Sequence, residues 1–256
     1  MWRILAARAQ QKFRTSDYPL REPVLPPRFR GKPVVNAGPV EGAAGIAAAC
    51  PAGALAAGAD GRLRLDLGRC IFCGDCEKAS AGQGVKFTHE YRLAANRRDD
   101  LVLAGGEAKL ADALNREAAR LFGRSLKLRQ VSAGGCNACE ADTNVLNTPV
   151  FDLARFGIQF VASPRHADGL LITGPVTKNM ELALRKTYDA VPAPKIVIAV
   201  GACAISGGIY RGHDETKSGA GDLVPVDLFI PGCPPNPWTI LDGLLRFLGR
   251  LPAHPR

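Results

Sequence analysis

Eight cysteines in 256 residues fall into two sets of four, and this constrains the chain more than any other feature. The first set is Cys50, Cys70, Cys73 and Cys76; the second is Cys136, Cys139, Cys203 and Cys233. Eight cysteines could close four disulfides, but such frameworks belong to short exported chains that lack a core. This chain is 46% hydrophobic and long enough for one large domain or two modest ones. Its start, MWRILAARAQQKFRT, shows no hydrophobic signal region, cleavage site or twin-arginine export signal, so a cytoplasmic setting is expected. No apolar run reaches the roughly 18–20 residues of a membrane span. In a reducing compartment clustered cysteines point to metal, and their spacing has to say which.

Cys70-x-x-Cys73-x-x-Cys76 is three-quarters of the bacterial ferredoxin run C-x2-C-x2-C-x3-C-P, in which the fourth cysteine ligates the other cluster. The expected fourth position here is Ser80. A degenerate copy lies thirty residues earlier: Val40, Ala43 and Ile46 occupy the first three positions and Cys50-Pro51 the last. Exchanging the fourth ligand between the halves sorts the losses completely. One site would need Val40, Ala43, Ile46 and Ser80, and has no thiol. The other needs Cys50, Cys70, Cys73 and Cys76, and keeps all four. The pattern predicts one [4Fe–4S] site on an α+β ferredoxin-like scaffold, its sister site filled by apolar or small side chains. Zinc or plain core cysteines are the competing reading.

From about Leu126 the pattern changes. Short apolar runs at Leu126–Val131, Ile158–Ala162, Leu170–Thr173, Ile196–Val200 and Val226–Ile230 alternate with helical stretches, one over Thr177–Tyr188. A last helix should open with Asn236 as cap and Pro237 in its first position, burying Ile240, Leu241, Leu244, Leu245 and Leu248. Strands alternating with crossover helices imply an α/β domain with a mainly parallel, flavodoxin-like sheet, its ligands at the carboxyl ends of the strands. Cys136 and Cys139 (GGCNACE), Cys203 (GACAISGG) and Cys233 (IPGCPP) each follow a predicted strand, so they should project from one sheet edge. Four soft thiolates suit zinc or an iron–sulfur cluster. One pair joined to two singletons in Gly and Pro loops favours a second [4Fe–4S].

The ends of the first module are distinctive. Residues 1–32 hold eight Lys/Arg and two acids, six of the nine net positive charges. Trp2, Leu5, Ala9 and Phe13 fall on one helical side with Arg3, Arg8 and Lys12 around the other. That suits an anionic membrane surface or a partner groove, or equally a solvated helix with one packed edge. Five prolines from Pro19 to Pro33 predict an extended, unpacked arm. Gly105–Gly123 reads as one linking helix with Leu110, Leu114, Ala118, Leu121 and Phe122 inward. The expected domains are therefore 1–33 (helix and arm), 34–104 (ferredoxin-like), 105–125 (linking helix) and 126–256 (α/β).

Three stretches of the second module, GGCNACEAD, the segment from PRHADGLLITGP to GACAISGG, and VPVDLFIPGCPPNPWTILDGLL, resemble the small subunit of membrane-bound, energy-converting [NiFe] hydrogenases. That group includes formate hydrogenlyase and hydrogenase-4-type complexes, and is homologous to the complex I component that carries the last cluster before quinone. TSDYPLREPVLPPRFRGKP, CPAGAL, GRCIFCGDCE and FTHEYRLA resemble a separate ferredoxin-like subunit of the same complexes, so the chain reads as a fusion of two neighbours. The resemblance implies that Cys136, Cys139, Cys203 and Cys233 hold the cluster proximal to a large-subunit active site. Complex I subunits usually carry adjacent cysteines in the first motif; Asn137 and Ala138 separate them here, as on the hydrogenase side. The implied role is that of an electron-transfer subunit with two [4Fe–4S] clusters and no active site of its own. It would relay electrons between a redox donor or acceptor protein and a hydrogenase-type large subunit that interconverts protons and hydrogen. Other hydrophilic and membrane subunits would hold it, peripherally, on the cytoplasmic face of the inner membrane. The alternative keeps the clusters within a complex I-like quinone oxidoreductase, or a hydrogenase-related complex without nickel.

Glu140 and Asp142 suit either a proton route beside the second set or an ordinary supporting role. His166 reads as structural, His213 as loop, and His89 and His254 belong to no constellation. No phosphate-binding glycine motif and no nucleophile–base pair occurs. A zinc-bound nucleic-acid module would account for the basic charge, but the basic residues are not interleaved with aromatics as a stacking surface requires, so no nucleic-acid partner is expected.

Overall fold

The computed structural model describes residues 2–105, 109–114 and 116–251. The first half contains helix α1 (Trp2–Gln11), strand β1 (Pro33–Val35), α2 (Ala43–Ala48), β2 (Leu55–Ala57), β3 (Leu63–Asp66), α3 (Asp75–Ala79), β4 (Val85–Phe87) and β5 (Val102–Leu103). Then follow α4 (Arg116–Phe122), β6 (Leu126–Ser132), α5 (Ala138–Val145), β7 (Ile158–Phe160), β8 (Gly169–Thr173) and α6 (Lys178–Ala190). The chain closes with β9 (Ile196–Val200), α7 (Ala202–Ser206), β10 (Leu228–Ile230) and α8 (Pro237–Phe247).

Strands β6 to β10 form one parallel sheet in the order β10-β9-β8-β6-β7. This is the doubly wound flavodoxin-like order, which reverses between β6 and β8 and leaves a crevice at the strands' carboxyl ends. Strands β8 and β9 are buried at every residue, as their unbroken apolar runs GLLIT and IVIAV require of strands covered on both faces. Asn236 caps α8 by accepting the Trp238 N–H at 3.0 Å, with Pro237 in the first position. All five leucine and isoleucine positions expected inward on α8 are at most 5% exposed.

In the first half, β1 pairs antiparallel with β4, and β2 antiparallel with β3, which also carries β5. Both short helices, α2 and α3, start after a glycine in the left-handed region, Gly42 and Gly74. The two halves share a core. Leu63, Leu65, Leu67, Cys70 and Cys76 pack in one apolar cluster with Ala204, Ile205 and Phe229 of the α/β half. Ala95 and Phe229 exchange two backbone hydrogen bonds, of 3.0 and 2.8 Å, along the free edge of β10.

Three expectations change. The linking helix is confined to Arg116–Phe122. Before it, the amides of Ala111 and Leu114 bond to Ala94 O and Phe247 O, and that of Asp112 to the Asn96 side chain, so tertiary partners replace the helical ones. Leu121, expected inward, is 57% exposed, while Phe122 is buried; residues 106–108 and 115 lie outside the described set. Second, the proline-rich arm is extended and mostly exposed from Pro19 to Arg30, as expected, but the residues just ahead of it are packed. The Ser16 amide donates to Val150 O, Arg155 donates to Ser16 O and Tyr18 O, and the buried Tyr18 donates to Asp242 on α8 at 2.9 Å. Third, of the two readings of α1 the one with a packed edge is not met, because α1 buries none of its residues and Trp2 and Leu5 face solvent. Among the described residues no helix is long and apolar enough to cross a membrane.

Candidate metal centres

Each second-set cysteine sits where a sheet strand ends. Cys136 and Cys139 flank the turn from β6 into α5, made at Asn137 with φ +71°. Cys203 lies in the first turn of α7, directly after β9, and Cys233 follows β10 between Gly232 and Pro234. Since the strands are parallel, their carboxyl ends gather these four residues at one edge, as the strand pattern implied. Cys136 and Cys233 are exposed; Cys139 and Cys203 are half-buried.

The loops come very close. A β-carbon on Gly201, at φ +90° and ψ +155°, would stand 2.5 Å from Cys139 Sγ. No side chain fits there, and the backbone region is essentially open to glycine alone.

The first set surrounds the 70–76 loop and the end of α2. Cys70 and Cys76 are buried, Cys50 and Cys73 half-buried. Backbone amides already point at sulfur: Ala54 N–H donates to Cys50 Sγ at 3.3 Å and Phe72 N–H to Cys70 Sγ at 3.4 Å. Of the four positions expected to lack a site, three are buried beside a cleft that Val40, Ile46 and Ser80 line. Ala43, Ile46 and Ser80 are buried, and the Ser80 hydroxyl bonds with Glu77 O and with the backbone of Val85.

Electrostatics separate the two sets. Burial pushes the Cys70 thiol up to about 12; the Phe72 amide opposes this, and Cys76, Cys50 and Cys73 add to it. Burial and then Cys50 raise Cys76 to about 11. In the other set burial, Cys233, Cys136 and Glu140 raise Cys203 to about 11. Burial lifts Cys139 well above the ordinary thiol range, with Cys203, Glu140, Cys233 and Cys136 contributing, and burial and Cys136 raise Cys233. Every cysteine acting on another belongs to its own set. Thiols so raised are neutral at pH 7, so a cationic metal core would have to displace their protons.

Among the described residues no three Cys, His, Asp or Glu side chains close tightly enough to hold a single metal ion. A structural zinc site draws four ligands to about 2.0–2.3 Å from one point. All eight cysteines are free of disulfides.

Glu140 is buried and accepts from the hydroxyls of Ser132 and of Thr173, the latter at 2.7 Å, a supporting arrangement that fixes the first turn of α5. Asp142 is raised by burial and lines a cleft beside Cys233. His166, His213 and His89 are not buried, and His254 lies outside the described residues. Sequence reasoning missed Ser206, whose buried hydroxyl donates from the Cys203 helix to Gly68 O at 2.8 Å, two residues before Cys70. It also missed Arg30, which reaches the 70–76 loop from the arm. A serine in a helix and an arginine in a proline-rich segment carry no local signal of such contacts.

Residues 136–247 match the family described as NADH ubiquinone oxidoreductase, 20 Kd subunit. The chain is 42% identical over 132 residues to the probable membrane-bound hydrogenase subunit mbhJ of Pyrococcus furiosus, covering 52% of this chain and 79% of that protein. It is 46% identical over 128 residues to formate hydrogenlyase subunit 7 of Escherichia coli, half of each chain. It is 42% identical over 112 residues to one of the NADH-quinone oxidoreductase subunits of Desulfovibrio desulfuricans, 44% of this chain and 61% of that one. These relatives are subunits of oxidoreductase complexes.

Proposed function

Because the chain belongs, through its second half, to the family of the NADH ubiquinone oxidoreductase 20 Kd subunit, we propose that it is an electron-transfer subunit carrying two [4Fe–4S] centres in a membrane-associated hydrogenase complex. In this reading Cys50, Cys70, Cys73 and Cys76 hold one centre on a ferredoxin-like domain, and Cys136, Cys139, Cys203 and Cys233 hold the other on the α/β domain. The observation that carries it is the gathering of Cys136, Cys139, Cys203 and Cys233 at the carboxyl ends of parallel strands, in a chain 42% identical to a membrane-bound hydrogenase subunit. Such a centre, when bound, takes up and releases single electrons.

The protein's own residues place, shield and tune. The 70–76 loop and α2 bury two of the first set's thiols and leave two half-buried, while the amides of Ala54 and Phe72 stabilise charge on sulfur. At the sheet edge Cys136 and Cys233 remain exposed, the side on which a large subunit would cover the second site. The common core and the Ala95–Phe229 bridge hold the two sites in fixed relation. The domains run 34–104 and 126–256, with residues 1–33 crossing both. Donor or acceptor proteins would meet the first domain, and attachment to the cytoplasmic face of the inner membrane would come through partner subunits.

The identity to an NADH-quinone oxidoreductase subunit supports a second reading, the same relay in a quinone-reducing or nickel-free complex. The Cys136-x-x-Cys139 spacing favours the hydrogenase side. Iron and acid-labile sulfide analysis of the anaerobically purified full chain tests the shared core of both: about eight of each per chain are expected for two [4Fe–4S] groups. About four of each, or zinc in place of iron, would refute it.

A further inference from the structure

Between the two cysteine sets lies a cleft of about 290 Å³, walled by Ile71 and Phe72 on one side and by Gly232 and Cys233 on the other. The arm contributes Arg28 and Arg30 to it. Arg30 Nη1 donates to two carbonyl oxygens of the cysteine loop, Phe72 O at 2.6 Å and Cys73 O. Its side chain also packs 3.4–3.5 Å from where a β-carbon on Gly74 would stand. The guanidinium, itself exposed, therefore lies against the backbone of the loop.

Gly31 makes this approach possible. Its amide donates to Thr88 O at 2.7 Å, and a β-carbon there would stand 2.1 Å from Glu90 O, so only glycine lets the arm lie this close. Among the described residues Arg30 forms no ion pair. Asp75, an acid that senses its charge, is engaged by Lys78 at 3.1 Å and by the Cys73 side chain. The positive charge thus rests on the carbonyls of a loop that carries three of four thiols. The potential of an iron–sulfur group follows its net charge, the hydrogen bonds around its sulfurs and its exposure.

We propose that Arg30 is a positioning residue that clamps the 70–76 loop and raises the reduction potential of the centre held there, which makes the arm part of the redox site. This rests on the reading that Cys50, Cys70, Cys73 and Cys76 hold a cluster. The test is an EPR-monitored redox titration of the full chain carrying both centres. Arg30→Gln should shift the first centre's midpoint to a more negative potential and leave the second nearly in place. Arg30→Lys, which keeps the charge, should shift it less. Wild-type midpoints in Arg30→Gln, or equal shifts in Gln and Lys, overturn the proposal. Should Arg30→Gln fail to assemble the first centre, Gly31→Ala decides, because it lifts the arm from Glu90 and withdraws an intact guanidinium. The same negative shift supports the proposal, and a wild-type midpoint overturns it. A wild-type chain with no first-centre signal sinks the underlying reading instead, and is recognised before any variant is titrated.

Discussion

At the scale of single residues, the sites are made by what is left out. Gly201 admits Cys139 because it has no β-carbon, and the missing atom would lie 2.5 Å from sulfur. Gly201→Ala brings that clash together with about 1–3 kcal/mol of backbone strain. We expect the reduced variant to lose the EPR signal of the second centre and to keep that of the first. Both signals at wild-type intensity would show that Cys139 is not held where the structure places it. Cys50 is proposed as a partner of Cys70, Cys73 and Cys76 because ligand exchange between ferredoxin halves is a rule of spacing. The contact of Arg30 was not legible, because nothing in the order of residues says which loop an arm will touch.

At the scale of elements, α8 shows where sequence reading stops. Its apolar stripe, Ile240 to Leu248, was plain in the spacing, and a polar stripe opposite it would ordinarily face water. Here Asp242 and Arg246 are also buried, pairing at 2.8 Å, and Tyr18 reaches Asp242 from ahead of the arm. Tyr18 supplies the hydroxyl that completes Asp242, and packs against Trp238 with ring centroids 5.5 Å apart. Prolines foretold the arm's extended, exposed course but not the burial of Tyr18 just ahead of it, since that packing was decided by a helix more than two hundred residues away. Removing one hydroxyl from a buried carboxylate costs about 1–3 kcal/mol. Tyr18→Phe should therefore speed hydrogen exchange at the Ser16 amide, bonded to Val150 O, by about tenfold or more, since ~1.4 kcal/mol is a factor of ten in local opening. Unchanged exchange would mean that Tyr18 does not pin the arm.

At the scale of the whole molecule, the parallel sheet and its edge of cysteines were readable because alternating strands and helices leave few topologies. The joint between the halves was not. It depends on Phe229, Ile205 and Ser206, residues that serve the α/β fold and also meet the first half. Basic charge is concentrated in the first 32 residues, of which α1 buries no side chain and Arg30 lies exposed against a cysteine loop. The central claim is that eight thiols form two independent cages, one of them completed by a cysteine twenty residues ahead of its partners. EPR of the reduced Cys50→Ser chain tests it most directly. The account predicts that one [4Fe–4S] signal disappears or is strongly altered while the other keeps its shape and intensity. Two unaltered signals would contradict it.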